Sequence, residues 1–150
     1  MSITVYSPMK GKLVSIKSVS DPVFSEKMLG DGVAIIPEYG IAVAPASGII
    51  SALPTSGHAF GMMLAKGVEL LVHVGIDTVD MDGMGFKLLA SKDDVVQAGD
   101  RVIEFSIDAI LCAGKEVVSP VVVLGAEVTM IARNCVDIGD PLFEVSGDGI

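Results

Sequence analysis

Apolar runs of four to eight residues, rich in valine and isoleucine, follow one another along almost the whole chain, each cut off from the next by glycine, proline or a polar turn. With 17 glycines and 7 prolines among 150 residues, no long stretch keeps the 3.6-residue periodicity of an amphipathic helix. A chain punctuated in this way builds its core from short strands. Strands are expected at Ile3 to Tyr6, Lys12 to Ile16, Val33 to Pro37, Ile41 to Ala44, Gly48 to Ala52, His58 to Leu64, Glu69 to Val74, Phe86 to Leu89, Arg101 to Ser106, Val118 to Leu124 and Leu142 to Val145. Turn signals such as Gly30-Asp31-Gly32 and Gly99-Asp100 separate many of them. At most a short helix is expected, at Ile107 to Cys112, where Ser106 can cap the first turn.

Two internal echoes refine this all-β reading. YSPMKGKLV (residues 6–14) recurs 37 positions later as VAPASGII (43–50), and VQAGDRVIEF (96–105) recurs 40 positions later as VDIGDPLFEV (136–145). Each repeated hairpin unit is too short to bury its own apolar face, so the copies are expected to pack together as an antiparallel β-sandwich or flattened barrel. The length suits one domain, residues 1–150, with enough chain to bury a core without metals or disulfides.

Hydrophobic residues make up 51% of the chain, but no apolar run approaches the roughly 18 residues of a spanning helix. Val117 to Val123 is broken by Ser119 and Pro120, and Val68 to Ile76 by Glu69 and His73. The N-terminus lacks a cationic start followed by an apolar stretch, so no secretion signal is expected and the protein is placed in the cytoplasm, with no direct membrane insertion. Cys112 and Cys135 show no CxxC spacing and are expected to be small buried hydrophobes. A net charge of −9 without any basic cluster argues against nucleic acid or an anionic membrane as a partner, because both demand a cationic surface.

The only two histidines are His58 and His73. A hairpin turning at Ala65-Lys66 would pair Leu64 with Gly67, Met62 with Glu69, Phe60 with Leu71 and His58 with His73. Directly opposed residues have Cβ atoms about 5 Å apart, close enough for both imidazoles to serve one phosphoryl group or one metal ion. Strand alternation puts His73 with Glu69 and Leu71 on the more polar face, where its ring is accessible. A second imidazole alongside disfavours double protonation and can hydrogen-bond a phosphoryl oxygen. Ser56 and Thr55 can add a hydroxyl donor, and Asp77 can orient nearby backbone or the ring. Zinc takes three or four protein ligands, and no HxxxH, HxH or cysteine quartet is present, so neither a complete metal site nor a cofactor is expected.

With those residues in hand, the chain resembles the glucose-type enzyme IIA domain of the bacterial phosphoenolpyruvate-dependent sugar phosphotransferase system. The resemblance rests on DPVFSEKMLGDGVAI (21–35), APASG (44–48), HAF (58–60), GVELLVHVGIDTV (67–79), GMGF (83–86), GD (99–100) and SPV (119–121), which fall in the family's order. It implies an antiparallel β-sandwich and a phosphotransferase component with a phosphohistidine intermediate. In that scheme His73 is phosphorylated, and His58 stabilises the group and matters most for passing it on. The donor would be the histidine phosphocarrier protein, and the acceptor a cysteine of the enzyme IIB domain, often part of the permease. Val23, Phe24 and Phe60 match positions that form an apolar rim around the histidines.

The family commonly has threonine two residues before the first histidine, where this chain has Ser56, with Thr55 one position further back. The chain also begins almost directly at its first expected strand, so a membrane-surface role for an N-terminal extension is not expected. Two other readings remain: a zinc-dependent peptidase-like hydrolase on a related β fold, which needs a third ligand and a general base, and a regulatory protein whose partner preference changes when His73 gains charge. A biotinyl or lipoyl carrier would present lysine in an AMKM or DKA context, which is absent.

Overall fold

The computed structural model describes residues 2–145. Fourteen strands occupy this span: β1 (Ile3–Tyr6), β2 (Gly11–Ser15), β3 (Gly30–Pro37), β4 (Ile41–Val43), β5 (Gly48–Ala52), β6 (Ala59–Met63) and β7 (Glu69–His73) come first. They are followed by β8 (Phe86–Leu88), β9 (Val95–Val96), β10 (Arg101–Phe105), β11 (Ser119–Leu124), β12 (Val128–Met130), β13 (Cys135–Val136) and β14 (Pro141–Val145). Only two α-helices accompany them, α1 (Pro22–Ser25) and α2 (Ile107–Cys112). The expected helix is therefore present with its expected cap, since the Ala109 N–H donates to Ser106 Oγ at 3.1 Å.

Every strand pairing is antiparallel. An eight-stranded sheet runs in the order β13-β2-β3-β11-β7-β6-β5-β9, and two three-stranded sheets run β1-β14-β12 and β4-β10-β8. Alternation along the strands decides which residues meet. Val33, Ile35, Leu70, Val72, Val121 and Val123 turn inward to pack with Val5 and Phe143 of one small sheet and Val102 and Ile103 of the other. Their neighbours Ala34 and Val122 turn to the opposite face, where Ile16, Val19, Phe24 and Ile76 form a second, smaller cluster. The segment carrying α1 thus roofs the outer face of the large sheet.

The two sequence echoes are symmetry mates in space. The Tyr6 N–H donates to the Pro45 carbonyl and the Val43 N–H to the Pro8 carbonyl, at 2.8 and 2.9 Å, so the first pair of echoes is bonded reciprocally. The second pair matches it: Gly139 donates to Ser7 and Gly99 to Ala44, while Ser7 donates to Asp140 and Ala44 to Asp100. Edge pairing repeats too, with Gly11 opposite Val136 and Gly48 opposite Val96. The duplicated-hairpin reading holds.

Three features depart from expectation. Helix α1 and the short strands β9, β12 and β13 were not foreseen, being too brief to show a period. Both cysteines are exposed and free rather than buried: Cys112 is the last residue of α2, and Cys135 lies in the two-residue edge strand β13.

Candidate functional site

The β6–β7 hairpin carries the histidines, but its register is one residue away from the expected one. Ala59 faces His73, Phe60 faces Val72, Gly61 faces Leu71, Met62 faces Leu70 and Met63 faces Glu69. The cause is the turn. Lys66 and Gly67 both adopt left-handed backbone, at φ 61° and 75°, so the loop takes three residues, Ala65-Lys66-Gly67, and the Leu64 N–H closes it on the Val68 carbonyl. Such a slip would move an in-strand residue to the other face. His58 escapes that rule because it precedes β6 and follows Gly57, whose φ is +68°, so the pleat does not set its direction. Its carbonyl accepts the Val74 N–H at 2.7 Å. The two imidazoles meet after all, ring centroids 5.2 Å apart and planes inclined at 67°.

The hydrogen bonds of His73 fix its chemistry. Its Nδ1 lies 2.6 Å from the Gly75 carbonyl oxygen. A carbonyl only accepts, so Nδ1 carries the proton and Nε2 keeps a lone pair. Gly75 sits at φ +71°, and a Cβ there would lie 2.6 Å from Thr78 Cγ2 and 2.8 Å from the Glu116 carbonyl oxygen. The carbonyl that orients the ring therefore belongs to a position only glycine fits. Buried Phe24 of α1 packs on the same ring in a T-shaped arrangement, centroids 5.4 Å apart. The Nδ1 of His58 bonds instead to Ser56 Oγ at 2.5 Å.

Burial lowers the pKa of both imidazoles below their ordinary 6.5. For His73 the Gly75 carbonyl opposes that effect, the charge of His58 adds to it, and the Asp21 and Asp77 carboxylates oppose it. Both rings are therefore neutral at pH 7, the state in which imidazole is a nucleophile. An unfolded chain holds these protons up to about pH 6.5, whereas the folded one releases them at lower pH. Between those values the unfolded state binds more protons, so the histidines' contribution to stability is full above pH 6.5 and declines as the pH falls below it. Titration of the ring resonances is expected to give both midpoints below 6.5. A midpoint above 6.5 for either ring would contradict this account.

The other expected site residues separate into near and far. Ser56, not Thr55, reaches His58, while Thr55 is exposed in the preceding turn. Asp77 begins a 3-10 turn in left-handed backbone, makes no capping bond with its side chain and acts on His73 through its charge. Val23 is exposed beside Phe24. Phe60 is not part of any rim: at 1% exposure it points into the main core, on the face of β6 opposite to His73. Asp21 and Gly75 were missed as site residues. Asp21 caps α1, its carboxylate accepting the Val23 N–H at 3.0 Å, and the Asp-Pro pair is a helix-start signal that could have revealed it. Among the described residues no group of three or more His, Cys, Asp or Glu side chains is arranged to hold a metal ion, and no helix is long and apolar enough to cross a membrane.

Comparison with known proteins points one way. Residues 3–129 match the family described as phosphoenolpyruvate-dependent sugar phosphotransferase system, EIIA 1. The glucose-specific EIIA component of the phosphotransferase system of Staphylococcus aureus strain COL is 39% identical over 125 residues, spanning 83% of this chain and 75% of the relative. The same component of Staphylococcus epidermidis is 38% identical over 128 residues, spanning 85% and 77%. Among solved structures, glucose permease IIA from Mycoplasma capricolum superimposes with a TM-score of 0.91 at 33% identity, with 96% of each chain covered. Neither the peptidase reading nor the regulatory one receives support from these likenesses.

Proposed function

The chain belongs to the EIIA 1 family of the phosphoenolpyruvate-dependent sugar phosphotransferase system and is a phosphoryl-relay component of it, and on that premise we propose that His73 Nε2 is the atom that carries the phosphoryl group. The observation behind this reading is the division of labour within one ring: Nδ1 is committed to the Gly75 carbonyl, which leaves Nε2 as the free nucleophile beside a second imidazole. The donor is the histidine phosphocarrier protein. The Nε2 lone pair bonds to phosphorus as the donor's N–P bond breaks, and the donor's imidazole leaves with that electron pair. In the second step a cysteine thiolate of the enzyme IIB domain attacks phosphorus, and the electron pair of the breaking N–P bond returns to Nε2.

The neighbours of His73 have matching tasks. Ser56 Oγ contacts His58 Nδ1, and we assign the hydroxyl as the donor in that bond, which leaves the His58 proton on Nε2 to be offered to a phosphoryl oxygen. Val23 supplies apolar surface at the edge of the site for the two partner proteins, buried Phe24 beside it backs the His73 ring, and Asp77 and Asp21 place negative charge nearby. The protein works as one IIA-like domain in the cytoplasm, where carrier and IIB domain can reach the same histidine in turn.

The test is reconstitution. Given phosphoenolpyruvate and the general components of the system, the chain is expected to take up phosphate that is acid-labile and maps to the peptide containing His73. Label on any other residue would overturn the assignment.

A further inference from the structure

Of the three fully buried polar side chains among the described residues, Ser7, Thr78 and Ser119, two converge on the backbone next to His73. The Thr78 hydroxyl donates to the Val74 carbonyl at 2.5 Å. The Gly75 N–H donates to Ser119 Oγ at 3.1 Å, and that hydroxyl in turn donates to the Val117 carbonyl at 2.8 Å. The Val74 carbonyl and the Gly75 N–H are the two ends of one peptide unit, so the pair of hydroxyls clamps that unit from both sides. The next unit is held as well, by the Ile76 N–H on the Glu116 carbonyl at 3.0 Å and by the Gly75 carbonyl on His73 Nδ1. Both torsions at Gly75 are thereby fixed.

A glycine needs such a clamp. Without a Cβ it samples backbone conformations freely, and a rotation of either peptide unit would swing the Gly75 carbonyl away from the imidazole. Nδ1 would then lose its acceptor, and the proton would distribute itself over both ring nitrogens. Every Nε2–H ring is a ring without a nucleophile at the reacting position.

We propose that Ser119 and Thr78 are positioning residues, which set the tautomer of His73 through Gly75 and so keep Nε2 unprotonated for phosphoryl transfer. The clamp rests on the reading of His73 as the phosphoryl acceptor, but its effect on the tautomer is visible without any phosphate. Both hydroxyls can be removed with little change of shape, by Ser119→Ala and Thr78→Val, and Thr78→Ser puts one of them back.

The experiment compares these three variants with the wild type, unphosphorylated, by long-range proton–nitrogen correlation of the histidine rings, and then measures the rate of phosphate uptake from the phosphorylated histidine phosphocarrier protein. The wild type is expected to show His73 solely as the Nδ1–H tautomer. Ser119→Ala and Thr78→Val are expected to show a substantial Nε2–H fraction and uptake slower by about tenfold, the equivalent of one buried hydrogen bond. Thr78→Ser is expected to restore both. If His73 stays wholly Nδ1–H in the variants lacking a hydroxyl, the proposal is overturned, whatever happens to the rates. It is equally overturned if Thr78→Ser behaves like Thr78→Val. Should Ser119→Ala fail to fold, the two Thr78 variants decide. Should wild-type label appear on a residue other than His73, the functional reading fails and the tautomers still settle the clamp.

Discussion

His73→Gln is expected to accept no phosphoryl group at all, a change from about one per chain to none. Glutamine matches histidine in polarity and roughly in reach, and the position is only partly buried, so the sheet has no reason to fail. What disappears is the nucleophile, because an amide nitrogen has its lone pair delocalised into the carbonyl and cannot form the N–P bond. The measurement is label transferred from phosphoenolpyruvate through the general components, alongside a thermal melt that confirms folding. Uptake by a folded His73→Gln protein would transfer the acceptor role elsewhere, and the only other histidine in the chain is His58.

The second large effect is expected at His58, and it should fall on one half of the relay. Accepting the phosphoryl group exchanges one N–P bond for another, with a neutral imidazole as the attacking group. Donating it brings a thiolate, already negative, up to an anionic phosphoryl group, and that convergence of charge is where an N–H donor at the equatorial oxygens matters most. His58→Gln is therefore expected to take up phosphate nearly normally and to pass it to a IIB domain about 10² to 10³ times more slowly, the range seen when one transition-state donor is removed. Loading the variant first and then following its loss of label on addition of IIB separates the steps. Uptake and donation falling by equal factors would contradict the unequal roles.

The sequence made some of this legible and concealed the rest for identifiable reasons. Strands β1 and β5 have their expected bounds, and most others differ by a residue or two, because alternation inside a two-faced sheet is written directly into the chain. The hairpin register differs from the expected one because of a single residue, Gly67: expected to pair with Leu64, it belongs to the turn by virtue of its positive φ, and Val68 takes its place. The family resemblance puts Phe60 in the apolar rim around the histidines, whereas the period-2 rule sends it to the core, where it lies. The Ser119 half of the hydrogen bonding around Gly75 has no local signature, unlike the Thr78 half, which spans four residues. Ser119 comes from a strand 44 residues away, and its meeting with Gly75 is a product of the β7–β11 pairing.

The internal symmetry of the scaffold has a consequence for where chemistry resides. Hairpins β2–β3 and β5–β6 are counterparts, with Leu13 opposite Ile35 in one and Ile50 opposite Met62 in the other. Their cores are interchangeable in kind, but their connections are not. In the second copy the link is short, residues 53–58, and ends on His58. In the first it is long, residues 16–29, and folds over the sheet to bring Asp21 and Phe24 to His73. The two-fold frame thus gathers Asp21, Phe24 and His58 around His73 on one side through connections of unequal length, and changes in the long connection would leave the paired hairpins beneath it intact.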